Sequence, residues 1–251
     1  MIVSNASERQ ATEKDFHNRK YAVRHSQASN ADFLASSTWD PWKDPNLLPI
    51  LQQMPRQPSL LLELGCGPGI ASLALALQGH LVTFTDISGE AVLMTRQRLK
   101  ANQVLQHTLG VITAAENLPF LDNLFDFVSG VGVLHHLDLS LARSEILRVM
   151  KPGASAVFVE PLGENILLNI VRDLFTKHTP DERMLTYSDL DLFCEGFQTS
   201  RITEFQLFSM LRLVGFPSNL VQRLERLDSW LSKRSATVRR MCRLVSIVVV
   251  K

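Results

Sequence analysis

The sequence predicts an α/β fold: a mostly parallel sheet wrapped by helices on both faces, with helical additions before its first strand and after its fifth. Three observations carry that expectation. Between residues 59 and 161, continuous apolar runs alternate with helical stretches. Strands without polar alternation are buried on both sides, which marks a parallel sheet between two helical layers. A glycine cluster, Gly65, Gly67 and Gly69, follows the first run directly, where a strand must turn sharply into a helix. The 251 residues, 45% hydrophobic and 20% charged, suit one large domain or a core with appended helices.

The elements follow in order. SLLLEL (59–64) is a buried strand bounded by Pro58 and Gly65, and Ile70 to Gln78 is an apolar helix stopped by Gly79. HLVTFTDIS (80–88), rich in β-branched residues, is the second strand. GEAVLMTRQRLKANQ has helical periodicity, with its cations late, where they suit a helix C-terminus. TLGVITAA (108–115) is a weaker third strand and FDFVSGVGV (125–133) a fourth. LARSEILRVM (141–150) is an amphipathic helix ended by Pro152-Gly153, and ASAVFVE (154–160) is a fifth strand. After Pro161 the pattern breaks. Residues 162–190 have no strand signal and are expected to form an inserted lid, whose apolar face would include Ile166, Leu167, Ile170 and Phe175. Residues 191–251 return to the sheet through strands at 197–208 and 243–251, with a helical segment around Arg223, Glu225 and Arg226 between them. The expected organisation is an N-terminal helical cap over 1–55, a core over 56–161, the lid, and a C-terminal part of the core sheet.

Composition narrows the function classes. A formal net charge of +1 gives no strong field for nucleic acid or an anionic membrane. Cys66, Cys194 and Cys242 lie far apart, without disulfide or zinc spacing, and fit buried thiols in a cytoplasmic protein. The polar N-terminus lacks a signal core, and the apolar run Ile247 to Val250 is too short to span a bilayer, so no stable membrane insertion is expected.

The glycines admit two readings, a tight βα turn or a ligand loop. In a parallel sheet, ligands bind beyond the carboxyl ends of the strands, where strand order reverses, and glycine lets the backbone come close to them. Ile70 stands where the dinucleotide fingerprint places its third glycine, which argues against an NAD-dependent oxidoreductase. Asp86, ending the second strand seventeen residues after Gly69, is either a solvated turn residue or an acceptor for both hydroxyls of an adenosine ribose. A silent binding scaffold would be expected to have lost Asp86 or the glycines, and the chain keeps both.

ELGCGPG, TDIS, AAENLPF, FDFVSGVGVLHHL and LRVMKPGASAVFVEP, in that order, resemble the class I S-adenosylmethionine-dependent methyltransferases that act on small molecules. The resemblance covers residues 59–161 and, through the closing hairpin, the family's antiparallel last strand. It implies a Rossmann-like seven-stranded sheet and transfer of a methyl group from S-adenosyl-L-methionine, leaving S-adenosyl-L-homocysteine. It also implies that Glu63 lies near the methionine moiety and that Gly65, Cys66, Gly67 and Gly69 form the cofactor loop. Asp86 would then bind the ribose and Ile87 pack on the adenine. Ala115 and Glu116 would meet the adenine edge, and Gly130 and Val131 the methionine end. Relatives often carry Asp where this chain has Ala114, so that contact would pass to the Ala115 amide or to Glu116.

Methyl transfer is an in-line displacement that an enzyme promotes mainly by positioning and by excluding water, with a general base where the nucleophile is oxygen or carbon. His135 and His136 close the fourth strand and are the catalytic candidates, unless LHHL serves packing alone. Tyr21, Glu160, Arg172 and His178 are the candidates for acceptor contact. His17 and Tyr21, four apart, suit an N-terminal helix covering the cofactor. SGVG stands where amino-methylating DNA enzymes carry Asn/Asp-Pro-Pro-aromatic, so a small organic acceptor is expected rather than nucleic acid. The expected acceptor is a natural product of specialised metabolism, with a quinone or prenylated lipid precursor as the alternative. No metal is expected, for want of HxxxH, a carboxylate cluster or a cysteine pair.

Overall fold

The computed structural model describes residues 6–36, 39–165 and 184–251. Most of the expected lid, with Ile166, Leu167, Ile170, Arg172, Phe175 and His178, lies outside the described residues. Seven strands form one sheet: β1 (Leu60–Leu64), β2 (Leu81–Asp86), β3 (Thr108–Ile112), β4 (Phe125–Val131), β5 (Met150–Pro161), β6 (Thr199–Phe205) and β7 (Leu244–Val250). Their order is β3-β2-β1-β4-β5-β7-β6. The first five pair in parallel, and β7 runs antiparallel to both of its neighbours. Chain order reverses between β1 and β4, which opens a crevice at the carboxyl ends of these two strands.

The period of two along each strand splits the core between the faces. Leu61, Phe84, Phe127 and Val157 pack into one cluster, with α3 (Leu48–Gln53) and α4 (Ile70–Leu77) supplying Ile50, Leu51, Leu73 and Leu75. Leu62, Leu64, Val128 and Phe158 face the other way, against α6 (Leu139–Val149) and α7 (Tyr187–Cys194). Both clusters are almost completely buried, so the sheet has no wet face over its centre.

Two of the boundaries that differ from the sequence pattern bear on the sheet and the crevice. The fifth strand begins at Met150 rather than 154 because Met150 already pairs with Phe125. The ladder then slips before Phe127 meets Ser155. Pro152 has no N–H to give, and Gly153 turns with φ +76°, so the slip falls where ladder bonds are cheapest to lose. The third strand stops at Ile112, which frees Thr113 to Ala115 to curve into the crevice.

Further helices lie beyond these two layers. α1 (Ala6–Gln27) lies on α5 (Gly89–Ala101), tied by Ser88 Oγ donating to Asn18 Oδ1 at 2.8 Å and by His25 beside Glu90 at 3.3 Å. A one-turn helix, α2 (Asn30–Phe33), follows α1. Between the paired ends of β6 and β7, the chain makes an excursion over residues 206–243 that includes α8 (Ser218–Ser232) and α9 (Ala236–Arg240).

Candidate active site

The β1–α4 loop holds positions that only glycine can occupy without strain. Gly67 has φ +48°, and a Cβ there would lie 2.8 Å from the Tyr21 hydroxyl. Gly69 has φ +79°, and a Cβ would meet Thr95 backbone at 2.9 Å. Left-handed backbone and absent space coincide, so the loop turns sharply where a side chain could not fit, and its amides are aimed: Cys66 N–H donates to Thr85 O and Gly69 N–H to Cys66 O, both at 2.8 Å. Gly67 N–H donates to Asp86 Oδ2 at 2.9 Å, while Ser88 N–H donates to Oδ1 at the same distance. Asp86 is thereby fixed at the end of β2 with both oxygens oriented. Burial raises its pKa above the usual carboxylate range, and the Ser88 and Gly67 amides pull it back.

Beneath the loop, Glu63 is 2% exposed and takes a hydrogen bond from Ser72 Oγ on α4. Burial pushes its carboxyl up to about 8 despite that bond. A buried acid of this kind is expensive and stays only where something else depends on it.

The far wall comes from α1. Arg9, Glu13, His17 and Tyr21 recur every four residues and so share one helical face, and all four line the crevice. Arg9 Nη2 donates to Glu116 Oε1 at 2.6 Å, closing one end. The Tyr21 hydroxyl sits against the glycine loop, its pKa raised by burial and by nearby Asp86 and Cys66. In the middle, Glu13 Oε2 lies 3.2 Å from His17 Nε2 and 3.3 Å from His136 Nδ1, with the two rings edge to face. Each of these three residues offers a ligand atom, all within 4.8 Å of one another, so the cluster has the composition of a cation site as well as of a proton-handling group.

The adjacent histidine does something else. Leu134–His136 form a single 3-10 turn, whose consecutive side chains point about 120° apart. The two rings nevertheless lie 4.0 Å apart; His136 lines the crevice, while His135 sits behind it with its Nδ1 2.8 Å from Glu160 Oε2. Glu160 is fully buried and also accepts the Val133 and Leu134 amides at 2.8 and 2.9 Å. This pair holds the turn in place, and neither residue lines the crevice.

The enclosed space is about 320 Å³, within the range of small-molecule sites. Of the sequence candidates, Glu63, Gly65, Cys66, Gly67, Asp86, Ile87, Ala115, Glu116, Val131, Tyr21 and His136 line it. Gly69 and Gly130 support it from behind, where a Cβ on Gly130 would strike Val133 at 2.6 Å. Arg9 and Glu13 are among the lining residues that the sequence reading missed, with Gln10, Asp44 and Asn46; for the first two, the i, i+4 spacing with His17 and Tyr21 was the available signal.

A methyltransferase domain model matches residues 62–158, which span the glycine loop, Asp86 and the His136 turn. Residues 62–158 are thus similar to a methyltransferase domain. Among curated relatives, a ubiquinone/menaquinone biosynthesis C-methyltransferase from Rickettsia peacockii is 28% identical over 126 residues, 47% of this chain and 49% of that protein. A malonyl-[acyl-carrier protein] O-methyltransferase from Erwinia billingiae is 39% identical over 104 residues, 41% of this chain and 39% of that protein. The chain thus spans about half the length of the curated relatives it matches, or less. A geranyl diphosphate C-methyltransferase from Streptomyces coelicolor, solved with magnesium, geranyl diphosphate and S-adenosylhomocysteine, shares the fold. Its TM-score is 0.60 at 13% identity, covering 93% of this chain and 97% of that one. At the crevice this chain brings no carboxylate at Ala114, while Glu116 nearby is held by Arg9.

Proposed function

We propose that the protein transfers a methyl group from S-adenosylmethionine to a small organic acceptor with a large apolar part. The observation that carries this is Asp86, a buried carboxylate fixed by the Gly67 and Ser88 amides at the carboxyl end of β2, beside a glycine loop that lines the same crevice. When bound, S-adenosylmethionine supplies an electrophilic sulfonium methyl. Asp86 is suited to hold a ribose diol, Ile87 and Ala115 to flank a purine, and Glu63 to face the polar amino-acid end. The α1 wall excludes water from the displacement.

His136 is the group proposed to take the acceptor's proton through the crevice, with Glu13 3.3 Å from its Nδ1 to steady the positive charge that results. Replacing His136 by Asn should lower kcat about 10²- to 10⁴-fold if the nucleophile needs deprotonation, while S-adenosylhomocysteine affinity changes little. Loss of affinity with unchanged kcat would move His136 from catalysis to cofactor binding. This reading uses no resident metal.

For the acceptor, a natural product of specialised metabolism and a quinone or prenylated lipid precursor are equally supported by the site. The names of the relatives, quinone C-methyltransferases and a geranyl diphosphate C-methyltransferase, favour the second as the first class to assay. Calorimetry with S-adenosylhomocysteine and with NAD tests the foundation: binding of the former alone supports the proposal, and binding of NAD alone overturns it.

A further inference from the structure

The excursion between β6 and β7 has a charge and surface unlike the rest of the protein. Residues 206–243 hold eight Arg and Lys against two acidic residues, six net positive charges in a chain whose total is +1, so everything outside them carries five net negative. One of the two acids is not available to balance the surface. Asp228 is 4% exposed and accepts the Leu207, Phe208 and Ser209 amides within 3.0 Å. That network clamps α8 to the strand end and fixes which way the helix faces. Val221 and Asp228 point inward, and a second stripe runs about a quarter-turn round the helix from them.

That flank is apolar along its length. Leu220, Leu224, Leu227 and Leu231 recur at i, i+4, i+7 and i+11. Leu220, Leu227 and Trp230 are 38%, 41% and 52% exposed. Arg223, Arg226, Lys233 and Arg234 lie on the outward side beyond the stripe and are exposed, with the Arg234 guanidinium 4.2 Å above the Trp230 ring. A row of partly exposed leucines, bordered on its outward side by Arg223 and Arg234 and with Trp230 about a quarter-turn away among the cations, is a pattern suited to a helix that lies in a membrane interface. There leucines enter the acyl boundary, the indole sits at headgroup level, and cations meet anionic lipids.

We propose that α8 docks the protein on an anionic lipid surface. Charge selects this occupant. A second copy of the chain would set six positive charges against six, and residues 166–183 hold three basic and three acidic residues, which offers no complement. A nucleic acid would satisfy the cations and leave the leucines in water. Attachment here is to a surface and not across it: among the described residues, no helix is long and apolar enough to span a membrane. The excursion leaves the sheet at the carboxyl end of β6, and the docking itself does not depend on which acceptor the enzyme uses.

Vesicle flotation of the full chain tests it, using phosphatidylcholine vesicles with and without about one-third phosphatidylglycerol. Binding is expected to the anionic vesicles, to weaken steeply with added salt, and to fall about fivefold for each basic residue neutralised, near a hundredfold for Arg223, Arg226 and Arg234 changed together to Gln. Trp230→Ala and Leu227→Ser should weaken it at constant charge, with S-adenosylhomocysteine affinity unchanged as proof of folding. Bilayer-borne bromolipids should quench Trp230 fluorescence. Equal partition onto both vesicle types, or loss of α8 exposure through dimerisation seen by light scattering, overturns the proposal. So does RNA binding that survives Leu227→Ser and Trp230→Ala, if vesicles are not bound.

Discussion

Asp86→Asn isolates the ribose contact at nearly constant volume. In the native site each carboxylate oxygen accepts one buried amide at 2.9 Å. Asparagine offers a single acceptor, so one amide must face an NH2 group; losing that bond costs about 1.5–3 kcal/mol. Against this, the substitution removes a charge that burial already disfavours, so the two effects oppose and the apo protein should lose little stability. The diol of a bound cofactor has no such compensation. It exchanges a charged acceptor for half of a neutral one, and S-adenosylhomocysteine should bind roughly 10- to 150-fold more weakly, the equivalent of 1.5–3 kcal/mol. Calorimetry should be repeated with an analogue lacking both ribose hydroxyls. The analogue should lose a similar factor in the native protein and nothing further in the variant. Because the Asp86 pKa is raised, native affinity should decline as pH falls through that raised value, and the variant should be flat across the same range. Affinity within twofold of native, or an equal penalty for the analogue in both proteins, would refute the ribose assignment.

Other expectations concern the rest of the site. Gly67→Ala forces a left-handed Cβ onto the Tyr21 hydroxyl, which lies 2.8 Å from its position; the backbone part alone costs about 1–2 kcal/mol. Adding Tyr21→Phe should restore the steric part and leave the backbone part, as read by denaturant midpoints and S-adenosylhomocysteine affinity, and no loss in the single variant would undo the loop argument. Glu63, pushed up to about 8 by burial, keeps a proton in the folded state that the unfolded chain releases near 4.5. Folding stability should therefore fall as pH rises across that window, and Glu63→Gln should raise Tm more at pH 8 than at pH 5; a pH-independent difference would contradict it. Dialysis against EDTA should leave turnover intact, whereas zinc should inhibit by capturing Glu13, His17 and His136. Turnover lost to chelator and restored by a divalent ion would make that cluster a metal centre.

The glycine loop and Asp86 were legible because their chemistry is local: spacing along β1, the turn and β2 determines their geometry. The two histidines were not separable in the sequence. They are neighbours of one type, and only the 3-10 turn and the buried Glu160 decide which of the two lines the crevice. Arg9 and Glu13 escaped for a different reason. The inward face of α1 brings Arg9, Glu13, His17 and Tyr21 to a crevice rather than to a core, so the apolar stripe that usually reveals a helix's buried side is missing. The charge of the 206–243 excursion was hidden in another way, since the acidic remainder of the chain cancels it in the total.

The polar character of α1 has a kinetic meaning. Tyr21 is its one buried large apolar side chain among the described residues, and its ties to the rest run through Arg9–Glu116, Glu13–His136, Asn18–Ser88 and His25–Glu90. Contacts of that kind open at far lower free energy than strands sealed between two apolar layers. On the proposed function, opening of this helix while the sheet stays intact would give S-adenosylhomocysteine an exit from the crevice. Residence time of the spent product, and with it the ceiling on turnover, is then set by the strength of a few polar contacts. Amide exchange along residues 6–27 should run ahead of β1 and β4 by orders of magnitude, and slow when S-adenosylhomocysteine is bound.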